Sequence, residues 1–140
     1  MEKKDIDWSN LGFCYIKTDK RYVSNFKDGA WDEGVLTDDD KVVISECAGV
    51  LQYAQTVFEG LKAYTTEKGN IVVFRPDLNA ERLEQSALRL EMPAFPRDRF
   101  VDAIVETVKA NDGFVPPYGT GATLYIRPYM FGSNPVIGVK

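Results

Sequence analysis

Near residue 76 the spacing of apolar residues changes, and that change limits the folds open to this chain. From 79 to 91 the residues Ala80, Leu83, Ala87 and Leu90 recur at helical spacing, with Arg82, Glu84 and Arg89 elsewhere on the wheel. Pro76 and Asn79 suit the start of such a helix and Pro93 its end. Pro96 introduces a second helix with the stripe Phe100, Val101, Ile104, Val105 and Val108, closed by Asn111, Asp112 and Gly113. Before residue 75 the pattern is that of short strands. Segments 13–17, 22–26 and 41–44 read as strands, and Lys27-Asp28-Gly29 makes a tight turn into Ala30 and Trp31. Segments 61–64 and 71–74 read as a hairpin joined through Lys68, Gly69 and Asn70.

After the turn-rich stretch 116–121 comes ATLYIRPYMFG at 122–132, which alternates with period two. Ala122, Leu124, Ile126, Pro128 and Met130 share one side, an ordinary core face. Thr123, Tyr125, Arg127, Tyr129 and Phe131 share the other. Strands, two helices and a return strand predict an α+β domain, a largely antiparallel sheet with two main helices packed on one face.

At 140 residues the chain has room for one domain. A net charge of −4 argues against a nucleic-acid surface, which needs a basic face. There are no histidines, which removes Ser-His-Asp and Cys-His arrangements and nearly all catalytic zinc sites. Cys14 and Cys47 lack metal-ligand spacing and suggest a reducing compartment. The N-terminal MEKKDIDW has no signal-peptide apolar region, and VVISECAGVL, broken by Glu46, is too short to span a bilayer. These features predict a soluble, cytoplasmic protein. The ending at 137–140, with neither a charged tail nor a natural helix end, reads as a cut inside a longer polypeptide.

Two arginines carry the candidate chemistry. Arg127 lies between two phenols and beside a proline that cannot donate to a ladder, so the strand is expected to be an edge or bulged there. Such a cation can bind a carboxylate while the rings meet aliphatic groups; the plain alternative is a solvated surface arginine. Arg82 falls in the first helical turn if Asn79 is the N-cap, where the dipole favours anions and a phosphate could be shared with free N–H groups. Its plain alternative is pairing with Glu81 or Glu84. Gly60 is expected to separate a short helical segment carrying Tyr53 and Phe58 from the following strand. Lys62 is expected to be solvated rather than nucleophilic. GTGA at 119–122 is too short for a phosphate-binding loop.

Four pieces in order resemble the branched-chain amino acid aminotransferases: LGFCYIKTDKRY at 11–22, LQYAQTVFEGLKAY at 51–64, VFRPDLNAERLEQSALRLEMP at 73–93 and VPPYGTGATLYIRPYMFG at 115–132. That family uses pyridoxal phosphate and belongs to the group that also holds D-amino acid aminotransferase and aminodeoxychorismate lyase. The resemblance implies a two-domain enzyme of which 1–140 is the small N-terminal domain. The Schiff-base lysine would lie in a larger C-terminal domain outside this chain; Lys62, Lys109 and Lys140 match no such motif, so no catalytic residue is assigned here, and the chain alone is expected to be inactive. By the same resemblance Arg82 grips the cofactor phosphate, Tyr125 and Arg127 receive substrate carboxylates, Phe13 and Phe58 are aromatic walls, and Tyr53 enters the neighbouring subunit's pocket in a homodimer. Gln52 stands where the family has histidine and Ala54 where it has glycine. The implied reaction moves the amino group of leucine, isoleucine or valine to 2-oxoglutarate, with small-molecule partners only. The alternatives are another enzyme of the same cofactor group, or a non-catalytic binding module made of the small domain.

Overall fold

A computed structural model describes residues 2–135 of the chain. Residues 137–140, with Lys140 and the expected cut, lie outside the described residues. Strands β1 (Arg21–Val23) and β4 (Val35–Thr37) pair antiparallel around a hairpin of β2 (Phe26–Lys27) and β3 (Ala30–Trp31). The two residues between β2 and β3, Asp28 and Gly29, both have positive φ, 53° and 82°. A two-residue turn of that hand matches the twist of the flanking strands. The Trp31 ring meets Phe95 edge-on at 5.0 Å, and its Nε1–H donates to the Ala94 carbonyl at 2.8 Å. This pins the hairpin to the segment between the two long helices.

Helix α1 (Gly49–Tyr53) leads to β5 (Thr56–Phe58), β6 (Leu61–Thr65) and β7 (Ile71–Val73). Helices α2 (Pro76–Arg89) and α3 (Arg97–Ala110) follow, then β8 (Leu124–Ile126) and β9 (Tyr129–Phe131). Every pairing between described strands is antiparallel: β1 with β4, β2 with β3, β5 with β9, and the order β7-β6-β8. The expected α+β architecture is present, its sheet divided into short ladders. Leu61, Ala63 and Ile126 from the sheet pack with Ala80, Leu83 and Ala87 of α2 and Phe100, Ile104 and Val108 of α3. Each large aliphatic or aromatic side chain so buried contributes about 1.5–3 kcal/mol.

Four expectations need correction. Helix α2 begins at Pro76, not Asn79, behind an N-cap Arg75 at φ 46°. Proline suits the first helical position because its missing N–H would go unpaired there anyway. Segments 13–17 and 41–44 form no strand; the described strand between residues 32 and 48 is β4 instead. Phe13, Tyr15, Val42 and Val43 are exposed, and β-propensity without a packing partner does not hold a strand. Leu90 and Val105 complete their helical stripes in sequence but are exposed in the fold. Segment 122–132 is two short strands in two ladders, not one strand.

Candidate functional site

The two breaks in β structure face each other. Phe58 lies opposite Tyr129, and Leu61 opposite Ile126. Two residues separate these pairs on each side, Glu59 and Gly60 against Arg127 and Pro128, so the register carries straight through. The expected bulge is therefore an in-register gap. Pro128 has no N–H to give, but its carbonyl accepts the Glu59 N–H at 2.8 Å. β8 is an edge strand, as Pro128 required. The alternation predicted for 122–132 persists across the gap: Ile126 and Met130 are buried, while Tyr125, Arg127 and Tyr129 are exposed.

On the exposed side Arg127 is fixed by aromatic groups. Its Nε and Nη2 donate to the Tyr125 hydroxyl at 3.2 and 2.9 Å. The guanidinium lies 4.3 Å from the Phe58 ring centroid and 5.1 Å from that of Tyr125. Contact with ring faces holds a cation without neutralising it. Tyr129 and Phe131 stack at 5.9 Å. Gly60 makes room for this arrangement, because a Cβ there would collide with the Tyr125 hydroxyl. Phe58 belongs to β5 and not, as expected, to a helical segment with Tyr53.

Arg82 is tied to the same gap from the other side. Val57, Glu59, Leu61 and Ala63 are all buried, so the carboxylate of Glu59 sits in a row of core positions at period two. Glu59 is 3% exposed. Its Oε1 accepts from Arg82 Nε and its Oε2 from Arg82 Nη2, each at 2.6 Å. Asn79 Nδ2 donates to Oε2 at 2.8 Å. The Arg82 bonds, with that of Asn79, hold the Glu59 carboxyl below its ordinary value against the opposing effect of burial. The partner expected in sequence, Glu81 or Glu84, belongs to Arg97 instead. Because α2 starts at Pro76, Arg82 lies in its second turn, beyond the reach of the helix N-terminal field. Sequence reasoning missed Glu59, although an acid on the core-facing beat of 57–63 was a usable signal.

The structure joins Phe58, Tyr125, Arg127 and, through Glu59, Arg82. Phe13 stands fully exposed on an irregular stretch, and Tyr53 is exposed at the end of α1. Gln52 Nε2 donates to the Glu46 carbonyl at 2.8 Å, and Ala54 caps α1 at φ 51°. Lys62 and Lys109 are exposed. Cys14 and Cys47 are free thiols. Neither arginine lines the two concavities bounded, one by Tyr15, Thr37 and Asp40, the other by Tyr22, Arg99 and Glu106. Arg127 stands on the exposed side of the gap and Arg82 on the side of Glu59. No helix among the described residues is long and apolar enough to cross a membrane.

No protein-family model matches the chain. It is 54% identical over 137 residues to the branched-chain-amino-acid aminotransferase of Haemophilus influenzae, covering 98% of this chain and 40% of that protein. Its fold superposes on the branched-chain aminotransferase of the thermophilic archaeon Thermoproteus uzoniensis, solved with norvaline, at a TM-score of 0.60. That match has 31% identity and covers 84% of this chain and 36% of the other. In sequence and in fold the chain matches part of the branched-chain aminotransferases. It spans about 40% of the length of the relatives it matches. A methionine aminotransferase of Arabidopsis thaliana is also 45% identical over 135 residues, covering 96% of this chain and 38% of that protein.

Proposed function

We propose that the chain is the small-domain part of a pyridoxal-phosphate-dependent branched-chain aminotransferase, and that it supplies one wall of the active site. The observation that carries this reading is Arg127, a cation held over Phe58 and Tyr125 with donors to spare. A guanidinium has five N–H groups, and Tyr125 occupies the single one on Nε and one of the two on Nη2. The remaining end of the fork can take a carboxylate in bidentate fashion. The rings beside it offer apolar area to an isobutyl or similar side chain. One wall therefore serves both members of a substrate pair, the branched amino acid through the rings and glutamate or 2-oxoglutarate through the cation.

Arg82 fits the cofactor phosphate by the same test of donors. Glu59 takes its Nε and one side of Nη2, leaving the end of that fork free on a side chain 66% exposed. Pyridoxal phosphate, when bound, supplies the electron sink for amino-group transfer. This chain's contribution is to bind and orient: Arg82 the phosphate, Arg127 and Tyr125 the second carboxylate, Phe58 the aliphatic group. Phe13 and Tyr53, exposed here, would complete the pocket against the rest of the polypeptide and a second subunit. A cytoplasmic homodimer is part of the same reading.

The test is steady-state kinetics of Arg127→Ala in the complete enzyme, with leucine and methionine as amino donors and 2-oxoglutarate as acceptor. Truncating one member of a desolvated charge pair costs about 2–5 kcal/mol, so kcat/KM for glutamate and 2-oxoglutarate should fall at least roughly 30-fold. Leucine should change by less than about threefold. Equal losses for both substrate types reject the role of Arg127. The ratio of leucine to methionine turnover decides the amino acid preference.

A further inference from the structure

Residues 57–63 send every second side chain into the core, and the acid at 59 interrupts an otherwise apolar row. Burying a carboxylate carries a desolvation cost that a surface arginine does not require of its partner. Glu59 is nevertheless anchored from three sides. Its own N–H is held by the Pro128 carbonyl at 2.8 Å. Asn79 Nδ2 fixes Oε2 at 2.8 Å and reaches the Gly60 carbonyl at 3.3 Å. Both oxygens accept from Arg82 at 2.6 Å. The carboxylate occupies the side edge of the guanidinium, Nε and Nη2. Both Nη1 hydrogens and the outer Nη2 hydrogen remain, and they form the end edge that matches two oxygens of one anion.

The geometry points to Glu59 as a positioning residue, which from inside the core holds Arg82 in the orientation that offers its end edge to an anion. The inference rests on the reading that this anion is the cofactor phosphate. Two effects of Glu59 oppose each other. Its negative charge offsets the field of Arg82, while its grip removes rotamer freedom that the anion would otherwise have to freeze. The offset is screened by water around a side chain 66% exposed. A free arginine has among the largest side-chain entropies, so the orienting effect wins.

The experiment compares dissociation constants of pyridoxal phosphate and of pyridoxal, which lacks the phosphate, for the cofactor-free complete protein. Wild type, Glu59→Gln, Arg82→Ala and the double variant are measured. Glu59→Gln should weaken pyridoxal phosphate about tenfold and leave pyridoxal unchanged. In the Arg82→Ala background it should cost nothing further, because a residue acting through Arg82 has nothing left to act on. An equal loss for pyridoxal, an undiminished loss in the Arg82→Ala background, or unchanged or tighter phosphate binding would each overturn the role. If Arg82→Ala itself leaves pyridoxal phosphate affinity unchanged, the phosphate reading falls and takes this inference with it. If Arg82→Ala weakens binding and Glu59→Gln does not, only the role of Glu59 fails. Should Glu59→Gln not fold, Asn79→Ala removes one of the two donors to Oε2 and loosens the carboxylate. A loss of about threefold for pyridoxal phosphate alone then supports the role, and no loss or an equal loss for both ligands overturns it.

Discussion

Ala54 holds a left-handed backbone, φ 51°, at the end of α1. An L side chain there brings its Cβ against the following carbonyl, at a cost of about 1–2 kcal/mol that glycine escapes. The glycine that the resemblance implies at this position would thus have a conformational reason. Ala54→Gly should stabilise the protein by about 1 kcal/mol in denaturant unfolding; no gain would show that the α1 cap is held by other contacts. Glu59 makes a second prediction at this scale. Its carboxyl titrates below its ordinary value of 4.5 in the fold, chiefly because Arg82 donates to it. A depressed folded-state value means that its stabilising contribution is complete above the unfolded-state value and is lost as pH falls through the folded one. Between about pH 6 and pH 3 the wild type should therefore lose more stability than Glu59→Gln; parallel losses would show that Glu59 is not the group titrating. Residue identities in the site were legible where a short motif carries them, as Tyr125 and Arg127 do. The Arg82 partner was not, because a contact spanning 23 positions leaves no local trace beyond one acid among core residues.

At the scale of elements, the site is made where two antiparallel partners stop together without losing register. Phe58, Glu59 and Gly60 each serve a different need: a ring under Arg127, a carboxylate for Arg82, and space for the Tyr125 phenol. Gly60→Ala tests the last. Tyr125 is half exposed and can swing aside, so the stability loss should stay below about 1 kcal/mol. The displaced phenol would then stop orienting Arg127, and selectivity for 2-oxoglutarate over a branched 2-oxo acid should drop about fivefold. Unchanged selectivity would mean that Tyr125 does not set the position of Arg127. The two long helices were legible in the sequence because a stripe such as Ala80, Leu83 and Ala87 needs only its own spacing to be seen. Short strands were not. Strand β4 and the irregular 13–17 differ in what packs against them, and that depends on partners distant in sequence.

At the scale of the molecule, the chain presents two cations at one gap in its β structure, Arg127 from the side of Phe58 and Arg82 from that of Glu59, each oriented by neighbours and each with donors unused. An α+β core and short antiparallel ladders hold that gap in place, and the chain spans about 40% of the length of the first relatives it matches. In the proposed function the two arginines answer to different ligands. The direct measurement is made on the complete enzyme carrying Arg82→Ala or Arg127→Ala, reading pyridoxal phosphate affinity and the kcat/KM ratio of 2-oxoglutarate to leucine for each. A crossed result is expected: Arg82→Ala lowers cofactor affinity and keeps the ratio, whereas Arg127→Ala keeps cofactor affinity and lowers the ratio. Two variants that move both quantities together would contradict it.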